Sequence, residues 1–369
     1  MRRESTYLLT TVLTLVLIGV VMVYSASAAY SSAEDRLLRH LIYVGIGLVA
    51  FTLAIHFDYK RLAEPFLFRF LVLISLTLLV AVLIPGVGDV RSGAQRWIEI
   101  GSFSFQPSEL AKFALILLLA VKLSQNQDQI GSFNKSYFPS AVIILIFAGL
   151  ILAERDLGTP VVLCAAAFFM LVMAGAPFRY LLPSIAPAIF AIYLLSVTSE
   201  YRYRRLTAFR DPWSHSRDDG YQLIQSMTAF VRGSIWGVGP GGGEQKLFYL
   251  PEAHTDFIFA VWAEETGVVG SLFLLTLFAA LLFLSFRISL NARDLFGTLF
   301  AGGVACLIAF QAAFNMAVAT GLLPTKGLPL PFISMGGTSL IVFMGLMGIV
   351  INIGTQAEPV RKARPATAQ

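Results

Sequence analysis

Ten long apolar stretches divide this chain, at roughly 7–29, 37–56, 66–84, 107–124, 138–154, 157–175, 180–198, 257–286, 295–322 and 333–354. A helix needs about 20 apolar residues to cross a bilayer core. Inside that core every backbone polar group must be satisfied within the segment itself. The chain is thereby held to an all-α polytopic membrane fold of about ten transmembrane helices. Only 13% of its residues are charged and 57% are hydrophobic, whereas soluble domains carry about 25% charge. A net charge of +5 is what basic cytoplasmic loops produce and calls for no nucleic acid.

Arg2 and Arg3 precede the first stretch and Ala26-Ser27-Ala28 follows it, as at a signal-peptide cleavage site. The apolar run from Tyr7 to Tyr24 is longer than the roughly 7–15 residues of a signal h-region, so a retained first span is expected. Ten spans put both termini on one side of the membrane. Short loops on that side hold about twice as many Lys and Arg as those on the other, which makes the tails cytoplasmic. Residues 199–256 then form one large extracellular loop between spans seven and eight. Residues 1–356 are expected to make a single transmembrane domain, and the polar, Ala/Pro-rich segment 357–369 a disordered cytoplasmic tail. Cys164 and Cys306 sit in apolar runs and read as small buried hydrophobes.

The large loop opens with a basic, aromatic stretch containing Arg204, Arg205 and Arg210. Leu223, Ile224, Met227, Phe230 and Val231 then recur at helical spacing, with Asp218 or Asp219 as a cap. Such a helix is expected to lie flat at the interface. The run Gly237 to Gly243 cannot stay helical and reads as a flexible hinge.

The loop ends at Pro251-Glu252-Ala253-His254-Thr255-Asp256, and Asp256 is the last charge before an apolar helix. An acid at the lip of a span is either solvated or functional. Asp256 is read as a catalytic base at the outer face, and His254 as a solvated loop histidine. Glu264 and Glu265 would lie about 12–14 Å deeper on an unbroken helix, which suits a structural or gating role.

Glu109 and Lys112 are three residues apart, on one face near the outer end of the fourth span. They form either a structural ion pair or a pair whose lysine also meets an anionic substrate group. Arg96 offers a planar donor fork suited to phosphate, or an interfacial anchor beside Trp97. Residues 320–339 hold three prolines and four glycines and cannot form a continuous helix. Non-helical backbone at that depth must lie inside protein or against a cavity. The stretch is expected to fold back and present Lys326 at the outer face. No zinc-ligand spacing, Ser/His/Asp arrangement or dinucleotide fingerprint appears.

Five stretches together resemble the SEDS family (shape, elongation, division and sporulation), and its rod-shape members most closely. They are Gly93 to Ile98, Phe105 to Lys112, Asp156 to Thr159, Leu250 to Phe259 and Thr320 to Ser339. The chain departs from the family pattern at Glu154-Arg155, where Gln-Pro is expected, and at Met335, where tyrosine is frequent. The resemblance implies a peptidoglycan glycosyltransferase that joins lipid II units at the outer face of the cytoplasmic membrane, for cell elongation and shape. It implies a class B penicillin-binding protein as partner, and magnesium or manganese as cofactor. It also implies an essential acid at Asp256 and a functional Glu109–Lys112 pair.

On this reading Asp256 takes the proton of the acceptor hydroxyl, or else holds the metal. Cations must converge on the leaving diphosphate. The candidates are Lys112, Arg96, Lys326, Arg204, Arg205 and Arg210. The competing class is a flippase that moves lipid II without chemistry. A flippase needs polar groups along its whole depth, whereas here charge gathers in the outer third.

Overall fold

The computed structural model describes residues 3–28, 33–91, 94–101, 103–218 and 220–357. Arg2, Gly93, Asp219 and the expected disordered tail beyond Ala357 lie outside them. The described helices, in chain order, are α1 (Arg3–Ser27), α2 (Ala33–His56), α3 (Pro65–Val82), α4 (Pro107–Gln125), α5 (Phe138–Ala153), α6 (Gly158–Met173), α7 (Phe178–Val197), α8 (Glu200–Arg210), α9 (Tyr221–Gly233), α10 (Ile258–Leu290), α11 (Leu295–Ala319) and α12 (Thr338–Gln356).

Among the described residues eight helices are long and apolar enough to cross a membrane, α5 together with the π turn Phe133–Tyr137 that leads into it. Two of the ten expected spans, α4 and α6, differ from these. α4 carries Glu109, Lys112 and Lys122 within its 19 residues, and α6 is only 16 residues long. Neighbouring helices bury most of α4, and nine of the 16 residues of α6. The core runs along α11 and α12, where most residues are buried. Small residues let the backbones approach there: a Cβ at Gly348 of α12 would sit 2.6 Å from the Phe51 carbonyl oxygen of α2. In α7, by contrast, only Leu181 is buried, and the helix packs chiefly on α6 and α8.

α10 is not the single straight span that was expected. Its 33 residues would measure about 50 Å, and the backbone breaks at Gly267, with φ 68° and ψ −163°. Only glycine occupies that region readily. Residues 268–290 cross the bundle, and residues 258–266 stand beyond the break.

The large loop is also more structured than expected. α9 does not lie free at an interface. Leu223, Ile224 and Ala229 are buried, and the helix packs against α10 and α11. The Ser226 hydroxyl donates to the Ala319 carbonyl at 2.6 Å. A Cβ at Gly233 would meet the Ala263 carbonyl oxygen at 2.1 Å, so α9 touches α10 backbone to backbone. The apolar stripe was read correctly as helical, but protein covers most of it. Gly220, not Asp218, holds the N-cap position.

The loop between α3 and α4 forms a three-stranded antiparallel sheet that was not anticipated. Its strands are β1 (Asp89–Arg91), β2 (Ala94–Ile100) and β3 (Phe103–Phe105), in that order, with Ile98 opposite Phe105. Trp97, Ile98, Phe103 and Phe105 favour extended backbone, and Gly101 at φ 63° makes the turn. Alternation of the bundle helices brings the α3–α4, α5–α6, α7–α10 and α11–α12 connections to one end.

Candidate active site

Those four connections build one site around Asp256. Glu252 turns the chain at φ 55°, its carbonyl accepts the N–H of Thr255 and Phe257, and its carboxylate accepts the Thr255 hydroxyl at 2.8 Å. Three further bonds tie this turn down. The Asn315 side chain donates to the Asp256 carbonyl at 2.8 Å, the Ser334 hydroxyl to the Thr255 carbonyl at 2.6 Å, and the Met335 N–H to the His254 carbonyl at 3.0 Å. His254 is therefore not a solvated loop residue. It is partly buried, and its ring lies 3.2 Å from the Arg36 guanidinium. Burial, then the Arg36 charge, lowers its pKa.

The Asp256 backbone is thus held while its carboxylate accepts no hydrogen bond from the described residues. The side chain is half-buried and faces Gly327: a Cβ there would lie 3.2 Å from Asp256 Oδ2. Burial pushes the Asp256 carboxyl up to about 7. Glu252 adds to the rise, and the Arg205 and Arg96 guanidiniums oppose it.

β2 delivers Arg96 to the α5–α6 turn. Its Nη2 donates to the Arg155 carbonyl at 2.8 Å and lies 3.9 Å from Asp156 Oδ1. Asp156 accepts the Gly158 N–H at 2.9 Å and the Thr159 hydroxyl at 2.7 Å, at the N-terminus of α6. Beside them Glu154 is fully buried, and neither carboxyl oxygen has a partner. Burial pushes it up to about 9; Asp156 adds to this, Arg96 opposes it, and Glu109 adds to it again. Glu154 is therefore a neutral acid at pH 7.

Lys326 and Arg205 approach from the other side. The Arg205 guanidinium donates to the Thr325 carbonyl at 3.3 Å, which brings α8 onto the α11–α12 connection. Lys326 is half-buried, and burial followed by the Arg205 and Arg202 charges lowers its ammonium to about 8. It remains mostly charged at pH 7. Arg210 does not join them. It is exposed at the C-terminal end of α8, about 7 Å further along the helix than Arg205, with no ion pair among the described residues.

Glu109 and Lys112 do pair, at 2.7 Å, with both side chains buried. The Lys112 ammonium also donates to Gln311 Oε1 at 2.8 Å and lies 4.8 Å from the Phe343 ring centre. The Gln311 amide nitrogen passes the link on to the Pro329 carbonyl at 2.9 Å. Asn315, one turn along α11, holds the Leu328 carbonyl at 2.7 Å as well as that of Asp256. The buried ion pair thus supports the proline-rich connection that faces Asp256. That connection is sunk in protein as expected, with Leu328, Leu330, Phe332 and Ile333 buried. Gln311 and Asn315 were missed in the sequence. Two amides at i and i+4 in an apolar span were the signal available.

The glycine run is not a free hinge. Val238 and Gly239 donate to the Glu264 and Glu265 carbonyls, and Val268 and Val269 donate to the Ser234 and Ile235 carbonyls. Segment 234–239 therefore satisfies the backbone groups that the Gly267 break releases. The Glu264 carboxylate accepts the Glu244 and Gln245 N–H groups. The Glu265 carboxylate binds Lys246 and Ser25, each at 2.6 Å. A Cβ at Gly237 would lie 2.1 Å from the Glu265 carbonyl oxygen, so the close approach requires glycine.

On the far side of α11 from Gln311 and Asn315, an apolar groove of about 270 Å³ opens between α6 and α11. Val161, Ala165, Phe310, Phe314 and Leu323 are among the residues that line it. Among the described residues no three His, Cys, Asp or Glu side chains converge as a metal cage.

Residues 5–358 match the family model of FtsW, RodA and SpoVE, described as cell cycle proteins. The chain is 43% identical to the probable peptidoglycan glycosyltransferase FtsW of Geobacter sp. (strain M18), over 92% of this chain and 93% of that one. It is 39% identical to the stage V sporulation protein E of Bacillus subtilis (strain 168), over 95% and 98%. Among solved structures, it is similar to the rod shape determining protein RodA of Thermus thermophilus, with 31% identity, a TM-score of 0.71, and 95% and 97% coverage. It is also similar to a chain of a peptidoglycan synthase complex that coordinates polymerization and crosslinking, with 32% identity, a TM-score of 0.77, and 95% and 97% coverage.

Proposed function

The chain belongs to the SEDS family of peptidoglycan glycosyltransferases, and on that premise we propose that it polymerises lipid II at the outer face of the cytoplasmic membrane, with Asp256 as general base. The observation that carries the proposal is a half-buried carboxylate without a bonding partner, with Arg96, Arg205 and Lys326 close enough to act on its surroundings. Asp256 takes the proton from the acceptor sugar hydroxyl. The resulting oxygen attacks the anomeric carbon of the donor, and the carbon–oxygen bond to the diphosphate breaks. The bonding pair leaves with the diphosphate, so one displacement inverts the α-linked donor into a β-linked product. Proton removal of this kind contributes about 10²–10⁴-fold in rate.

Arg96, Arg205 and Lys326 take up the charge that grows on the leaving diphosphate. Lys112 acts at one remove, through Gln311 and the Pro329 carbonyl, and Glu109 keeps it paired. Arg210 has no place in this step. The groove between α6 and α11 suits the polyprenyl tail. A magnesium or manganese ion, held by Asp256 together with the substrate's diphosphate, is the alternative to Asp256 acting as base, since a carboxylate that ligates a cation no longer takes the proton. Bound there, it would supply further positive charge to the leaving group.

The partner proposed is a class B penicillin-binding protein, by analogy with the similar chain of the peptidoglycan synthase complex. The rod-shape resemblance favours elongation, whereas the FtsW-named relatives at 41–43% identity favour division. Localisation of the tagged protein to lateral wall or septum separates these settings. The central test is glycan synthesis from purified lipid II by the purified protein with its transpeptidase. Asp256→Ala should fold, bind the partner and make no polymer. Full polymerisation by that variant removes Asp256 from the mechanism. Lipid II movement without polymer would favour the flippase.

A further inference from the structure

The tip of the large loop carries an exposed apolar cluster that the catalytic reading does not use. Trp236 is 78% exposed, Val231 79% and Ile235 58%. A tryptophan and two branched aliphatics side by side do not stand in water without cause. Their height in the molecule follows from the backbone. Val268 and Val269 of α10 donate to the Ser234 and Ile235 carbonyls, so the tip lies level with the start of the α10 span. From Val268 the helix runs without a charge to Arg287, 20 residues and about 30 Å, which is the thickness of a bilayer core. If Arg287 marks the inner boundary, Val268 marks the outer one.

Two observations fix which way the tip faces. Val268, Val269 and Leu272 are exposed on the α10 surface alongside it, so the patch is continuous with the lipid-facing side of a transmembrane helix. The charges of the same loop are paired off: Arg232 with Glu244 at 2.6 Å at the surface, and Lys246 with Glu265 at 2.6 Å in the interior. The tip is also rigidly placed, because Gly237 and Gly267 touch through their backbones.

We infer that Ile235 and Trp236, with Val231, dip into the headgroup–acyl boundary of the outer leaflet and moor the catalytic loop to the lipid surface. Tryptophan suits that level because its ring is apolar and its N–H is polar. The mooring sets the height of α9 and of residues 258–266, and hence of Asp256, against the bilayer that delivers a lipid-linked substrate. The inference requires only that α10 crosses a membrane; it does not depend on Asp256 being the base.

The experiment uses the full chain in phosphatidylcholine–phosphatidylglycerol vesicles, with Trp97, Trp213 and Trp262 replaced by Phe. Trp236 should emit at short wavelength, resist aqueous iodide, and lose half or more of its emission to lipids brominated near the headgroup. Lipids brominated near the chain end should quench it less. A control that keeps only Trp213, which is 69% exposed in the polar part of the loop, should show the reverse preference for iodide over lipid. Quenching of Trp236 by iodide and not by bromolipid overturns the inference. So does protection from both, which would mean that a second copy or another protein covers the tip. Should the tryptophan variants fail to fold, Ile235→Cys in a Cys164→Ala/Cys306→Ala background, spin-labelled, gives an independent reading. Its nitroxide should collide more with oxygen than with a water-soluble nickel chelate, and the opposite order also overturns the proposal.

Discussion

Asn315 holds Asp256 by the backbone, its side-chain nitrogen donating to the Asp256 carbonyl oxygen over 2.8 Å. The same amide holds the Leu328 carbonyl, so one α11 side chain sets the spacing between the acid and the connection that faces it. Asn315→Leu strands both acceptors. A buried group left unpaired costs about 1–3 kcal/mol, so the unfolding midpoint should fall while the fold persists. A misplacement of about 1 Å is worth roughly 10²-fold in rate, and glycan synthesis should drop by that order. An unchanged rate would detach Asn315 from the positioning of Asp256.

Breaking the Glu109–Lys112 pair from one side leaves a buried charge alone, at about 3–5 kcal/mol. Lys112→Met should therefore reduce yield and thermal stability sharply. Adding Glu109→Gln to it should recover most of the stability. If the pair only supports the proline-rich connection, polymerisation recovers along with stability. If Lys112 meets substrate, stability returns and activity does not.

The rate should depend on the ionisation of Asp256. Its carboxyl is raised to about 7, and a general base works only when deprotonated. Polymerisation should rise as pH increases through about 7 and fall again as Lys326 loses its proton near 8. Initial rates measured between acid and mildly alkaline pH check this. A flat profile across neutrality would mean that Asp256 does not act as the base.

Glu154 makes a prediction about stability. Its ordinary pKa is 4.5, and the folded chain raises it to about 9. The folded state holds the proton more tightly, so the stabilisation is complete below 4.5 and is lost as pH rises toward 9. Glu154→Gln removes that slope. The melting temperature of the parent chain should fall more steeply than that of the variant between neutral pH and about 9, and parallel curves would refute the assignment.

Gly267→Ala should be poorly tolerated. The added Cβ would lie 2.4 Å from the Gly237 nitrogen, at a φ of 68°. Strain and overpacking together cost about 2–6 kcal/mol. The yield of monodisperse protein in detergent should collapse, whereas Gly149→Ala, where a Cβ meets nothing within 4 Å, should not change it.

Eight of the ten expected spans and the non-helical stretch before α12 were legible in the chain because each depends on local chemistry. Hydrocarbon admits only long apolar helices, and prolines with glycines forbid a continuous turn. What tertiary structure alone decided was partnership. Lys112 reaches Pro329 through Gln311, Arg96 finds the Arg155 carbonyl and Asp156, and the Ser234–Gly239 segment mends the break at Gly267. These pairings join residues tens to hundreds of positions apart. No periodicity or spacing encodes them, because which donor meets which acceptor depends on how the helices stack, and stacking is settled by the whole core together.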